Sequence, residues 1–180
     1  MLEVEMDTKN LEFLEGMLKE APEKVPQAMQ KTMRRVGSYM KTTATTEITK
    51  KYTAFRGDVS KAVKVARGSG IEAGIDVVGP RISMYDFKTT ANGGIVAEII
   101  KGKPHAFQNH TYFKAKINKG ANREGIYKRK GKARFPVKKA MGPSVPQMAQ
   151  NEEVRERIET KVVDNFQDKM INEVVKVILK

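Results

Sequence analysis

With 180 residues the chain has the length of one domain, able to bury roughly 65–70% of its unfolded surface, so it needs no staple to fold. It has no cysteine, which excludes a disulfide framework and a thiol nucleophile and fits a reducing compartment, and no apolar run nears the ~20 residues of a membrane span. The net charge of +13 sits almost wholly in residues 101–140, where thirteen Lys or Arg face one acid, Glu124, and project a positive field toward phosphates or acidic protein surfaces.

The acidic opening Met1-Leu2-Glu3-Val4-Glu5 does not read as a signal peptide. Over residues 2–6, Leu2, Val4 and Met6 alternate with Glu3 and Glu5, the pattern of a half-buried strand. Asp7 or Thr8 then caps a helix whose Leu11, Leu14, Leu18 and Ala21 follow three- and four-residue spacing. The stretch from Ala21-Pro22 to Val25-Pro26 is a break. A longer helix follows, with Met29, Met33, Val36, Met40, Ala44 and Ile48 on one face and Lys31, Arg34, Arg35 and Lys41 on the other. Its methionines read as adaptable core filler.

The middle of the chain reads as sheet. Residues 62–66 and 71–78 are β-rich runs joined by Arg67-Gly68-Ser69-Gly70, a hairpin turn by composition. Asn92-Gly93-Gly94 is a second turn, linking residues 85–90 to residues 95–100, whose near-continuous apolar character predicts a central strand. Phe107 and residues 112–117, 125–130 and 133–137 continue the sheet, punctuated by Asn118, Gly120, Asn122 and Gly131. The basic window therefore consists mainly of hairpins and loops.

Next comes the run Phe135-Pro136-Val137-Lys138-Lys139-Ala140-Met141-Gly142-Pro143-Ser144-Val145-Pro146-Gln147-Met148. Gly142 reads as a permissive backbone position and Pro143 fixes φ, while Ser144 caps a short helical turn in which Pro146 sits early enough to be tolerated. A strand ends here and a helical region begins. The last helix starts near Asn151, with Glu152 and Glu153 at the positive end of its dipole. Val154, Ile158, Val162, Phe166, Met170, Val174 and Ile178 recur every four residues, reinforced by Val163, Ile171 and Val175. That stripe must be covered, by the sheet and the earlier long helix or by a neighbouring subunit, and a domain of this size needs it for its own core.

Residues that often carry chemistry do not assemble into a site. His105 and His110 stand five apart with no cysteine or carboxylate nearby, and strand alternation sends them to opposite faces, so no metal site is expected. Gly68, Gly70 and Gly74 lack the strand–turn–helix context and trailing Lys-Ser/Thr of a phosphate-cradling loop, no nucleophile elbow occurs, and the acids lie on helices at solvent-type spacing. Neither an enzyme nor a cofactor is expected. The basic window is less neutral: Tyr112, Phe113, Tyr127 and Phe135 interleave with Lys114, Lys116, Lys128, Arg129, Lys130, Lys132 and Arg134. A nucleic-acid site stacks bases on such rings while the cations neutralise phosphate. Plain alternation instead turns the aromatics inward as core and the cations outward, and that is the reading preferred on the sequence.

The run from Phe135 to Met148, followed by Asn151-Glu152-Glu153-Val154 opening a terminal helix, resembles the minor tail protein Z family of long-tailed bacteriophages and prophages. The opening strand at residues 2–6, the basic helix after Pro26, residues 55–65 and Met84-Tyr85-Asp86-Phe87-Lys88 fall in that family's order, so the resemblance covers most of the chain. It implies a structural virion protein, a tail-completion component at the head-proximal end of the tail, assembled in the bacterial cytoplasm and needed for head–tail joining. Its implied partners are the tail tube or terminator and the head–tail connector proteins, with self-association into a ring matched to the tube.

The expected fold is α+β in a single domain over residues 1–180: a strand and helices over 1–53, a β-rich part with basic hairpins over 54–140, and a Gly-Pro turn with a long C-terminal helix over 141–180. One long helix is expected to pack on a mostly antiparallel sheet. Lys128, Arg129, Lys130, Lys132, Arg134, Lys138 and Lys139 are the expected docking cations, for an acidic protein or for packaged DNA. Phe135, Pro136, Gly142, Pro143, Ser144, Pro146 and Met148 are the expected structural motif. Two alternatives stand beside this reading: a sequence-independent nucleic-acid-binding protein using residues 101–140, and a head–tail connector adaptor. No membrane contact is expected.

Overall fold

The computed structural model describes Gly16 and residues 25–66, 73–91, 94–107, 111–116, 124–133 and 135–178. The expected opening strand at residues 2–6 lies outside these residues, as does the expected first helix apart from Gly16, which is helical. From there the elements run α1 (Val25–Lys51), α2 (Arg56–Ala62), β1 (Val63–Ala66), β2 (Gly74–Val77), β3 (Arg81–Ser83), a 3-10 turn (Met84–Asp86), β4 (Lys88–Thr90) and β5 (Ile95–Ile100). They continue with β6 (Lys103–Phe107), β7 (Tyr112–Ala115), β8 (Gly125–Arg129), β9 (Val137–Lys139), β10 (Met141–Ser144), α3 (Val145–Ala149) and α4 (Glu152–Ile178). The fold is α+β.

The helical stripes cover each other. Val36, Met40, Ala44 and Ile48 of α1 share one buried cluster with Val154, Ile158, Val162 and Phe166 of α4, and Met29 and Met33 pack on it from the start of α1. Burying an aliphatic side chain of this size stabilises by about 1.5–3 kcal/mol, so this seam is the main source of cohesion. The helices run antiparallel, because Lys51 meets Glu153, Glu47 meets Lys161 and Tyr39 meets Lys169. The C-terminal stripe is thus spent inside the chain over residues 154–166. Val25 and Pro26, expected in the break, belong to the first turn of α1, where a proline costs no helical hydrogen bond.

Hydroxyl-rich α1 satisfies itself locally. Ser38, Thr42, Thr45 and Thr49 each donate to the carbonyl four residues back, at 3.1, 3.1, 2.8 and 2.8 Å. Glu47 is the exception: it is 2% exposed and accepts from Lys161 Nζ at 2.6 Å and Lys50 Nζ at 2.9 Å. Burial pushes its carboxyl up, but the hydrogen bonds and charges of the two lysines outweigh burial and hold it below the ordinary carboxylate range. Past its last turn, α1 is tied to β5 by Thr53 N–H to the Ile99 carbonyl (3.0 Å) and Lys101 N–H to the Lys51 carbonyl (2.9 Å).

The β-rich part differs from the single sheet expected. Among the described residues every pairing is antiparallel, but the strands form four small sheets, β1–β2, β3–β10, β4–β5–β6 and β7–β8–β9. β5 is central in its sheet, as its apolar run predicts. Gly102 turns β5 into β6 at φ +76, a left-handed position suited to glycine, and donates its N–H to Glu98 at 2.8 Å. Residues 85–86 are in the 3-10 turn, not a strand, with Ser83 Oγ accepting from Tyr85 N–H at 3.4 Å. Ala133, Phe135 and Pro136 are not in a strand either: β9 begins at Val137, beyond the cis Phe135–Pro136 bond, since Pro136 has no N–H for a ladder. The expected turn at residues 67–70, and Asn92 and Gly93 of the second expected turn, lie outside the described residues.

A second, smaller core of Met84, Ile95, Ala97, Ile126 and Ala140 lies under the β7–β8–β9 sheet. The Gly-Pro run joins it to the first core. Ala140 belongs to the small core, whereas Val145 and Met148 (0% exposed) belong to the large one. Between them β10 pairs with β3, and Arg81 Nε donates to the Gly142 carbonyl at 3.0 Å. Ser144 then starts α3 with a full capping box: its N–H donates to Gln147 Oε1 at 2.9 Å and its Oγ accepts from Gln147 N–H at 3.4 Å, with Pro146 in the first turn.

Gly142 has a different role from the permissive one expected. It does not adopt a positive φ, and a Cβ there would lie 2.5 Å from Cε2 of the buried Phe87 ring. Gly142→Ala is expected to cost about 1–3 kcal/mol through overpacking, with Phe87→Leu in the same chain recovering part of the loss. Denaturant midpoints of the two single variants and the double variant check this, and a wild-type midpoint for Gly142→Ala overturns it.

Because the folded Glu47 carboxyl titrates below its unfolded value, its pairing contributes stability above the unfolded pKa, and that contribution is lost as pH falls through the folded pKa. Glu47→Gln should lower stability near neutrality by about 1–2 kcal/mol, the half-exposed lysines being partly screened. The difference should begin to shrink below about pH 4.3, the unfolded value, and be lost as pH falls through the lower folded value. Urea titrations from neutral to acid pH test this, and a gap that does not change with pH refutes the charge term.

Candidate functional site

Strand alternation sorts the β7–β8–β9 sheet into two faces. On the first, Tyr112, Lys128 and Lys138 stand in one row, and Lys114, Ile126 and Ala140 in the next. On the second, Phe113, Tyr127 and Lys139 form the central row, with Arg129 and Val137 to one side and Ala115 and Gly125 to the other.

The first face is anchored at one end and charged at the other. Ile126 (0% exposed) and Ala140 enter the small core, and Tyr112 packs against it. Lys114 is neutralised: its Nζ lies 2.6 Å from Glu124, which also accepts from the Tyr85 hydroxyl at 2.7 Å. The hydrogen bond to Glu124 raises the Lys114 ammonium, and those from Lys114 and Tyr85 lower the Glu124 carboxyl. The one acid of the basic window is therefore consumed internally. One row further on, Lys128 and Lys138 are direct cross-strand partners, both exposed. Like charges opposite each other in a sheet repel and destabilise. Lys128 gains a partial counterweight from the Tyr112 ring, whose centroid is 5.4 Å from its Nζ.

The remaining expected cations are distributed around this pair. Lys130 and Lys132 are exposed in the β8–β9 connection, where Lys130 N–H donates to the Pro136 carbonyl at 3.1 Å. Lys139 and Arg129 lie on the second face, so the seven expected docking residues do not form one patch. Arg134 lies outside the described residues. Phe135, expected inward, is 62% exposed beside Pro136. Pro143 lies in β10, and with Gly142, Ser144, Pro146 and Met148 it belongs to the joint between the cores.

Two features escaped sequence reasoning. Gly125 provides a seat for Tyr127: a Cβ on it would meet Cε2 of the Tyr127 ring at 3.1 Å and Cζ and the hydroxyl at 3.4 Å. Arg34, Arg35, Ser38, Tyr39, Thr42 and Lys169 line an open groove between α1 and α4, which only the antiparallel packing brings together. His105 is exposed on β6 and His110 lies outside the described residues. Among the described residues no three His, Asp or Glu groups gather as a metal site, and no helix is long and apolar enough to cross a membrane.

Lys138→Glu separates stability from docking. It turns a repulsive cross-strand pair into an attractive one, so stability at low salt should rise by about 0.2–1 kcal/mol, while affinity for an anionic partner falls. A melting midpoint that drops on this substitution contradicts the repulsion. Comparison with protein-family models, curated proteins and solved structures finds no match to this chain.

Proposed function

We propose that this chain is a structural virion protein, a minor tail or tail-completion component at the head-proximal end of a long phage tail, where it is needed for head–tail joining. The Phe135 to Met148 run and the helix after it support the reading, because the residues that carry the resemblance are those that join the two cores and cap α3. The observation that carries it is the Lys128–Lys138 row, a self-repelling cationic surface on a sheet anchored by Ile126 and Ala140. Such a surface favours an anionic protein neighbour, and the apolar stripe of α4 is already occupied over residues 154–166.

On this reading the partners are the tail tube or terminator and the head–tail connector proteins, and copies of the chain associate into a ring. A connector adaptor would differ only in which ring it meets. The mechanism is complementary burial with charge docking, weakened by salt because exposed charges are screened beyond about 8–10 Å at physiological ionic strength.

Deleting the gene from a phage that carries it should leave filled heads and full-length tails unjoined, and added purified chain should restore joining. Reversal of Lys128, Lys130 and Lys138 to Glu should leave the melting midpoint near wild type and abolish the rescue. Electron microscopy and plaque counts read both effects. Joined, infectious particles without the chain would overturn the assignment, and rescue by the reversed variant would overturn the docking role.

A further inference from the structure

Among the described residues, the second face of the β7–β8–β9 sheet contributes nothing to either core. The residues of this sheet that enter or pack against a core, Ile126, Ala140 and Tyr112, are all on the first face. Phe113 and Tyr127, cross-strand partners on the second face, are only half-buried. Their ring centroids are 6.2 Å apart with planes inclined by 30°, so together they form an almost continuous aromatic strip across β7 and β8. Gly125 lets the Tyr127 ring lean back along its own strand, an arrangement any larger side chain would disturb. Arg129 sets its guanidinium 5.1 Å from the Phe113 centroid, and Lys139 stands across from Tyr127.

Two half-buried rings flanked by cations, with no carboxylate among the described residues of the same rows, make a particular demand on a ligand. An acidic protein would pair with Arg129 and Lys139 but would bring nothing flat to the strip. A duplex would present phosphate, with its base faces hidden in its own stack. A single strand supplies both an anionic backbone and free base faces, and aromatic rings and arginine planes bind such faces with little regard to sequence.

We propose that this face is a stacking site for unpaired bases of a single-stranded nucleic acid, with Tyr127 and Phe113 taking the bases and Arg129 and Lys139 the phosphates. The site is separate from the Lys128–Lys138 row on the opposite face, and it does not rest on the tail-completion reading.

The test uses the full chain, a mixed-sequence single strand of twenty deoxynucleotides, the matching duplex, and an abasic strand of equal length and charge, in about 150 mM salt, where surface electrostatics are damped. The chain has five tyrosines and no tryptophan, so tyrosine emission reports stacking directly. The single strand should bind at least about tenfold tighter than the abasic strand, the loss expected for one stacked base, and should quench tyrosine emission. Tyr127→Ala should remove most of that preference, whereas Tyr127→Phe should keep it and give less quenching. Equal affinity for normal and abasic strands overturns the proposal using the wild-type chain alone. So does duplex binding that matches single-strand binding, which would mean phosphate contact only. Displacement of the single strand by an acidic peptide without any base dependence would reassign the face to a protein.

Discussion

The antiparallel seam between α1 and α4 is the constraint on which the rest of the molecule depends. It takes up the apolar stripe of α1 and that of α4 as far as Phe166, and it fixes the end of α1 where Tyr52 and Thr53 meet Ile100 and Ile99. From that point β5 is held in place, and on β5 rests the small core that carries the basic sheet. The polar contacts along the seam orient it and add little cohesion. Lys51 bonds Asn151 at 2.6 Å and also meets Glu153, while Glu47 holds Lys161. A carboxylate that is buried but doubly paired fixes register between two helices more than it strengthens them.

The two cores differ in the work they do. The large one holds helices and the Val145–Met148 turn; the small one holds a sheet whose exposed parts are almost all cationic or aromatic. Phe87 belongs to the large core and closes over Gly142, so the strand linking the two parts is pressed against the helical body. The basic sheet is thereby carried on a short, tightly packed connection, which holds it at a defined angle to the helical body.

What the sequence made legible follows from the range of each signal. The three- and four-residue spacing of Met29 to Ile48 and of Val154 to Phe166 is local and repeats over many turns, so both helices and their inward faces could be read directly. Ser144 and Gln147 sit at capping-box spacing, and they form one. α2 was missed because it has only seven residues, no side-chain cap, and just two buried apolar residues, Val59 and Ala62. The reason for Gly142 lay in Phe87, a residue distant in sequence, and no torsional argument would reveal a ring in its way. The charge of the candidate site was visible in composition, but its layout was not. Whether Lys128 faces Lys138 or Lys139 depends on the register set by the β8–β9 connection, and a slip of one residue would exchange the two faces.

The repulsion built into the Lys128–Lys138 row also has a consequence for contact between copies. Two copies of the chain approaching through this face bring four ammonium groups together, a repulsion that is strongest at low salt and falls as salt screens it. The residues that would attract an anionic surface thus also disfavour contact between copies through this face. Which face carries that bias is set by the strand register.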